Sequence, residues 1–221
     1  MEGLKIDNYI SSKLPDDVVV QRVLNGEKEL YEILLRRYNQ TLYRAIRSYL
    51  QNDRDVEDTM QDTYIKAYQK LYQFKGDAKF SSWLIRIGIN EALMKIRKQK
   101  KKQDLSTNDE NFDTILQLPN LNQMNPEEQV INHEIRFLIE KAIDNLPEKY
   151  RIVYTLREVE GMSNTEICAS LEISASNVKV RFHRAKHLLR EALFKISTEA
   201  SVFEFGNSRC DKITDYVMKN I

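Results

Sequence analysis

The feature that most limits what this chain can fold into is its shortage of helix breakers. No proline stands between Pro15 and Pro119, and only Gly26, Gly76 and Gly88 fall in that span. Inside a helix a glycine costs about 1 kcal/mol relative to alanine and a proline about 3. Long stretches free of both, in which charged and apolar residues alternate, therefore predict an all-α protein. A chain of 221 residues has room for two small helical domains, each with a modest core, or for one medium domain. No apolar run approaches the roughly 20 residues that cross a bilayer, so no membrane insertion is expected. The N-terminus lacks a signal-peptide pattern and two cysteines make no disulfide framework, so the expected location is the cytoplasm.

The sharpest local pattern is "GMSNTEICASLEISASNVKVRFHRAKHLL", residues 161–189. Ser163 followed by Glu166 is a capping box, in which each side chain satisfies a backbone N–H at the helix start. The helix that begins there carries Ile167 and Leu171 and is expected to stop near Glu172, with Ser174 capping a second helix. Along that second helix Val178, Phe182, Ala185, Leu189 and Ala192 recur at the spacing of one buried face. Turning this stripe inward sends Lys179, Val180, His183, Arg184, Lys186, His187 and Arg190 to solvent as a cationic surface. The arrangement is that of a helix-turn-helix, whose second helix enters the major groove. Ser176, Lys179, Val180, His183 and Arg184 stand nearest the base edges, where lysine and arginine donate to guanine acceptors. Lys186, His187 and Arg190 stand where phosphate is met. The plain alternative for such a helix is a solvated amphipathic surface, but box, turn, stripe and charge agree on DNA.

A formal net charge of only +1 conceals segregation along the chain. Lys95, Arg97, Lys98, Lys100, Lys101 and Lys102 form a basic run, and residues 104–128 then hold acids without a lysine or arginine. The Asn- and Gln-rich composition, Pro119 and the lack of periodicity make 103–125 a linker. It ends where Asn125 is placed to cap a helix with Pro126 at its first position and Glu127 and Glu128 in the first turn. Ile131, Ile135, Leu138 and Ala142 form the first apolar stripe of the second unit, and Pro147 opens a further helix with Ile152, Leu156 and Val159.

The first unit shows Val18, Val19, Val23, Leu30, Leu34 and Leu35, then Leu42, Ile46 and Leu50, at helical spacing. Asp53 is expected to cap the next helix, whose stripe is Val56, Met60, Ala67 and Leu71 with Tyr64 beside it. Asp55, Glu57, Asp58, Gln61 and Asp62 lie mostly off that stripe as an acidic face. Complementation of the helix N-terminus accounts for Asp55 and part of Glu57, but Asp62 is too far along. Phe74, Phe80 and Trp83 then surround a Gly-Asp turn ahead of the basic run. Aromatic rings beside cations suit unpaired bases, although Phe80 and Trp83 are better read as core.

These two blocks in this order, "RDVEDTMQDTYIKAYQKLYQFKGDAKFSSWLIRIGINEALMKIRK" and "LPEKYRIVYTLREVEGMSNTEICASLEISASNVKVRFHRAKHLLREAL", closely resemble the extracytoplasmic-function (ECF) group of the sigma-70 family of bacterial RNA polymerase sigma factors. The likeness runs over about residues 16–197, and implies a division into an N-terminal extension (1–15), sigma region 2 (16–102), the linker (103–125), sigma region 4 (126–197) and a C-terminal tail (198–221). By resemblance, Asp55, Glu57, Asp58, Gln61 and Asp62 would dock on the clamp helices of the RNA polymerase core. Phe74 and Asn90 would belong to a pocket for a flipped base of the downstream promoter element, with Lys75, Lys79, Arg86, Lys95, Arg97 and Lys98 on the strand backbone. The helix-turn-helix would read the upstream element while resting on the polymerase flap. Promoter DNA and the core enzyme are thus the implied partners, and an anti-sigma factor is a further regulatory partner the family admits. Met94, where relatives often carry Asp or Asn, departs from the pattern.

No cofactor or metal is expected: three histidines and two cysteines assemble no zinc spacing, no phosphate loop occurs, and no nucleophile has a base nearby, so the chain is not read as an enzyme. Cys168 reads as a small core residue. In the tail, Ile213, Val217 and Ile221 are spaced as a short amphipathic helix. Two other functions compete with the sigma reading: a two-domain helix-turn-helix regulator that does not join the polymerase, and an RNA binder using the basic run. The first would need a ligand or phosphoacceptor domain at its N-terminus, for which there is no sheet pattern; the second would not need the acidic helix.

Overall fold

The structure, a computed structural model, describes residues 14–103, 136–199 and 218. Eight helices account for it, and no strand occurs among the described residues: α1 (Asp16–Leu24), α2 (Tyr31–Arg47), α3 (Asp53–Gln69), α4 (Phe80–Gln103), α5 (136–144), α6 (Glu148–Tyr154), α7 (Asn164–Leu171) and α8 (Ala175–Glu199). The all-α expectation holds. Residues 104–135, with the linker and the expected cap at Asn125, lie outside the described residues, as do Ile213, Val217 and Ile221 of the tail.

In the N-terminal half, α4 packs against both α3 and α2, with α1 along α2. Val19, Leu34, Leu42, Ile46, Val56, Leu71, Phe80 and Leu84 form its fully buried centre. Each such side chain contributes about 1.5 to 3 kcal/mol by leaving water, which is why the periodic apolar positions dominate the choice of fold. On α1 the inward pair is Val19 and Val20, and Val18 turns out to solvent. Asn52, not Asp53, caps α3: its side-chain oxygen accepts from the Asp55 N–H at 3.1 Å. Two buried threonines also sit on the inner face of α3. Thr59 and Thr63 donate to the carbonyls of Asp55 and Thr59, both at 2.6 Å, so neither hydroxyl is left unsatisfied.

At Gly88 α4 lies hard against α2. A Cβ there would lie 2.7 Å from Leu42 Cδ1 and 3.3 Å from Ile46 Cδ1, so the absence of a side chain sets the approach.

The C-terminal half packs α6 against α8 and α7 against α8, and α7 also lies along α4. Its core is not its own. Ala45, Ile85 and Ile89 from the N-terminal half share one buried cluster with Ile152, Val153, Leu156, Met162, Ile167 and Val178. After Tyr154 the helix widens into a π turn over Thr155–Val159, closed by Glu160 N–H donating to Thr155 O at 3.0 Å. A π turn holds more residues than an α turn and rotates the side chains beyond it. Val159, expected in the stripe, is consequently exposed, and Met162 is buried in the shared cluster. Leu138 is likewise partly exposed on α5, whose buried residue is Ala142.

Candidate nucleic-acid interface

The helix-turn-helix is built as its sequence predicts. Ser163 Oγ accepts from the Glu166 N–H at 3.2 Å while the Glu166 carboxylate accepts from the Ser163 N–H at 2.7 Å. α7 ends at Glu172, which adopts φ 54° and ψ 41° and is the single non-glycine residue with positive φ among those described. A left-handed residue there reverses the chain so that the next helix crosses the first. Ser174 Oγ then accepts from Asn177 N–H at 3.3 Å and starts α8.

On α8, Val178, Ala185 and Leu189 are buried, with Phe182 and Ala192 half-buried beside them. Ser176, Lys179, Val180, His183, Arg184, Lys186, His187 and Arg190 are all exposed, in one cationic face. Lys186 Nζ stands 5.3 Å above the Phe182 ring and His187 Nδ1 lies 3.3 Å from Glu191. Both contacts stay within α8.

The downstream candidates are more dispersed. Phe74 is half-buried; its ring meets Phe80 edge-on at 5.5 Å and Trp83 at 5.6 Å, so it is one wall of an aromatic cluster. Lys75, Lys79, Arg86, Asn90, Arg97 and Lys98 are exposed on the loop and along α4. Met94 is exposed too. Lys95 is placed differently: its Nζ lies 2.8 Å from Asp55 and 3.4 Å from Asp58, which joins one candidate DNA contact to two candidate polymerase contacts.

On the acidic side of α3, Glu57, Asp58, Gln61 and Asp62 are exposed. Asp55 is drawn inward and also accepts from Gln99 Nε2 at 2.8 Å. Partial burial pushes its carboxyl up, but the bonds from Lys95 and Gln99 prevail and hold it below the usual carboxylate range. The outward acids thus form the accessible face and Asp55 ties α3 to α4.

Polar contacts also join the two halves. Lys79 Nζ lies 2.6 Å from Glu166, and Arg86 lies 2.9 Å from Glu172. Arg47 makes two bonds to Asp144, at 2.9 and 3.2 Å, and Arg44 pairs with Glu160. Arg151, buried with its guanidinium, donates to Leu146 O at 2.9 Å and to Ser48 O at 3.3 Å. Burial lowers its pKa from the usual value while Asp144 works the other way. Asp144, Glu160 and Glu172 carry no signal in the sequence, since each answers a cation roughly 80 to 120 positions away.

A helical bundle with an acidic helix, joined to a helix-turn-helix with a cationic face, defines a DNA-binding protein of the helix-turn-helix class. Residues 34–102 match the family Sigma-70 region 2, and residues 136–189 match Sigma-70, region 4. The chain is 33% identical over 184 residues to the ECF RNA polymerase sigma-E factors of Salmonella typhimurium and Escherichia coli K12, covering 81% of this chain and 95% of each relative. A Haemophilus influenzae sigma-E factor is 29% identical over 83% of this chain and 98% of its own length. The fold is shared with the solved structure of CnrH in complex with the cytosolic domain of CnrY, at TM-score 0.57 and 24% identity, covering 81% of this chain and 97% of that one. It is shared as well with the sigma factor RpoE bound to the anti-sigma factor NepR from Bartonella quintana, at TM-score 0.61 and 21% identity, covering 74% and 96%. The chain belongs to the ECF group of the sigma-70 family and is an RNA polymerase sigma factor.

Among the described residues no helix is long and apolar enough to cross a membrane.

Proposed function

We propose that this sigma factor works by binding alone, joining two weak DNA contacts through one polymerase. Residues 16–102 form the unit for core docking and melting, 126–197 the unit for the upstream element, and 103–125 the connection between them. The outward acids Glu57, Asp58, Gln61 and Asp62, with Asp55 at the start of the same helix, meet the clamp helices; complementary charge speeds and orients that encounter. The exposed face of α8 reads the upstream element beside the flap. Because both units ride on one enzyme, their local concentrations reinforce each other and a bipartite promoter is selected.

Melting follows from differential affinity. A strand held by its unpaired bases at Phe74 and Asn90, with cations along its backbone, binds better than the closed duplex, so the equilibrium moves toward the bubble without nucleotide hydrolysis. The work belongs to the cytoplasm, where polymerase and promoter are. Two proteins of the same fold were solved with protein partners, one an anti-sigma factor, which supports a regulator of that kind here.

The observation that carries the reading is the joint presence, in one chain, of the exposed acids of α3 and the exposed cations of α8. It is tested by run-off transcription with purified bacterial core polymerase. Promoter-directed transcripts are expected with this chain and not without it. A chain that never directs initiation, and that does not co-elute with core enzyme on a sizing column, overturns it in favour of an ordinary helix-turn-helix regulator.

A further inference from the structure

We infer that Val180 is a specificity-determining residue of α8, and that it reads the C5-methyl group of one thymine in the upstream element. The inference rests on the upstream role proposed above for α8. It goes further by naming the chemical group that one side chain recognises.

The placement comes first. Successive residues of a helix turn by about 100°, so Val180 stands about 160° round α8 from Val178 and Phe182 and about 180° from Leu189. Val178 and Leu189 are buried and seat the helix on the core, with Phe182 half-buried between them. Val180 therefore occupies the middle of the opposite face, and 61% of it is exposed. Ser176 and Arg184, one turn before and one turn after, flank it and are exposed too. All three belong to the first turns of α8, which begins at Ala175. That is the part a recognition helix presents to base edges.

The chemistry follows from what valine lacks. It has no donor and no acceptor. Pressed against a ring nitrogen, a carbonyl or an amino group, it would strip water from a polar atom and return no bond. The thymine methyl is the one apolar group that base pairs show in the major groove. In a helix valine keeps nearly a single χ1 rotamer, so its two methyl groups are already in place when DNA arrives. The rest of the face, with Ser176, Lys179, His183 and Arg184, is polar and serves polar base edges and phosphate. A single exposed valine is ordinary on a protein surface. Val180 differs by standing at the centre of a face that is otherwise polar and cationic.

The test uses the full chain assembled with bacterial core polymerase. Duplexes are first selected from a randomised pool. Each thymine of the enriched upstream block, on either strand, is then replaced by deoxyuridine, which removes the methyl group and leaves the pairing edge intact. At one thymine the replacement should weaken wild-type binding roughly fourfold, the worth of one methyl group removed from water. Val180→Ala, a change at an exposed position, should bind the thymine and deoxyuridine duplexes equally, and about as weakly as wild type binds the deoxyuridine one. An upstream block in which no thymine is sensitive overturns the inference, and so does a Val180→Ala protein that keeps the wild-type preference for the methyl group. Both results leave α8 as the reader of the upstream element. A pool from which no upstream block is enriched removes that role, and the inference with it.

Discussion

At the scale of single residues, Phe74 shows how one side chain serves two ends. The sequence marks it as a base-stacking candidate, yet its ring is also wedged between Phe80 and Trp83. Phe74→Ala should thus lose about 1 to 3 kcal/mol of stability through these contacts, as well as weakening the bubble. Phe74→Leu separates the two effects. It should restore most of the stability while permanganate reactivity of the melted strand stays low, with closed-complex formation nearly normal. Recovery of reactivity by leucine would deny the ring its stacking role. Glu166 gives a pH signature. Hydrogen bonding from Lys79, then from Ser163, draws its carboxyl from 4.5 down to about 2. Since the folded value is below the unfolded one, its stabilising contribution is complete above pH 4.5 and disappears as pH falls through about 2. The stability gap between wild type and Glu166→Gln, read by urea unfolding, should be level around neutrality and close only across that acid window. A gap that closes near neutral pH would show that another group is responsible. The capping role of Glu166 is legible in the sequence because capping is local; its ion pair is not, because nothing local marks it.

At the scale of elements, what the sequence reveals is what repeats at helical period. The α8 stripe is buried as its spacing predicts, and the turn before it forms where the caps place it. Two departures fall where the period is broken: at the π turn, which sends Val159 outward and Met162 inward, and on α1, where three successive valines leave the phase ambiguous. Thr59 and Thr63 escape notice because a hydroxyl that bonds its own helix is invisible to an apolar pattern. Gly88 offers a test of how closely α4 and α2 approach. Alanine gains about 1 kcal/mol of helix propensity at such a position, whereas forcing a methyl against fully buried Leu42 costs about 1 to 3. Gly88→Ala should come out level with wild type or up to about 2 kcal/mol less stable in denaturant titration. A variant stabilised by about 1 would mean that the helices yield.

At the scale of the whole molecule, a change of composition around residues 103–125 reads as a boundary between two units, but nothing in the sequence marks the packing of the two halves on each other. Their joining depends on Ile85 and Ile89 facing Ile152 and Leu156, positions that read equally well as the interior of either unit alone. A shared core couples unfolding. Calorimetry of the wild type at low salt should give one merged transition. Two transitions in the wild type would mean the seam is too weak to couple them.

The π turn at Thr155–Val159 has a consequence for insertions and deletions. It holds one residue more than an ordinary helical turn, so losing a single residue there would rotate the chain beyond it by about 100°. The seam and the DNA-facing helix would swing together, and a one-residue change would be felt far from where it was made.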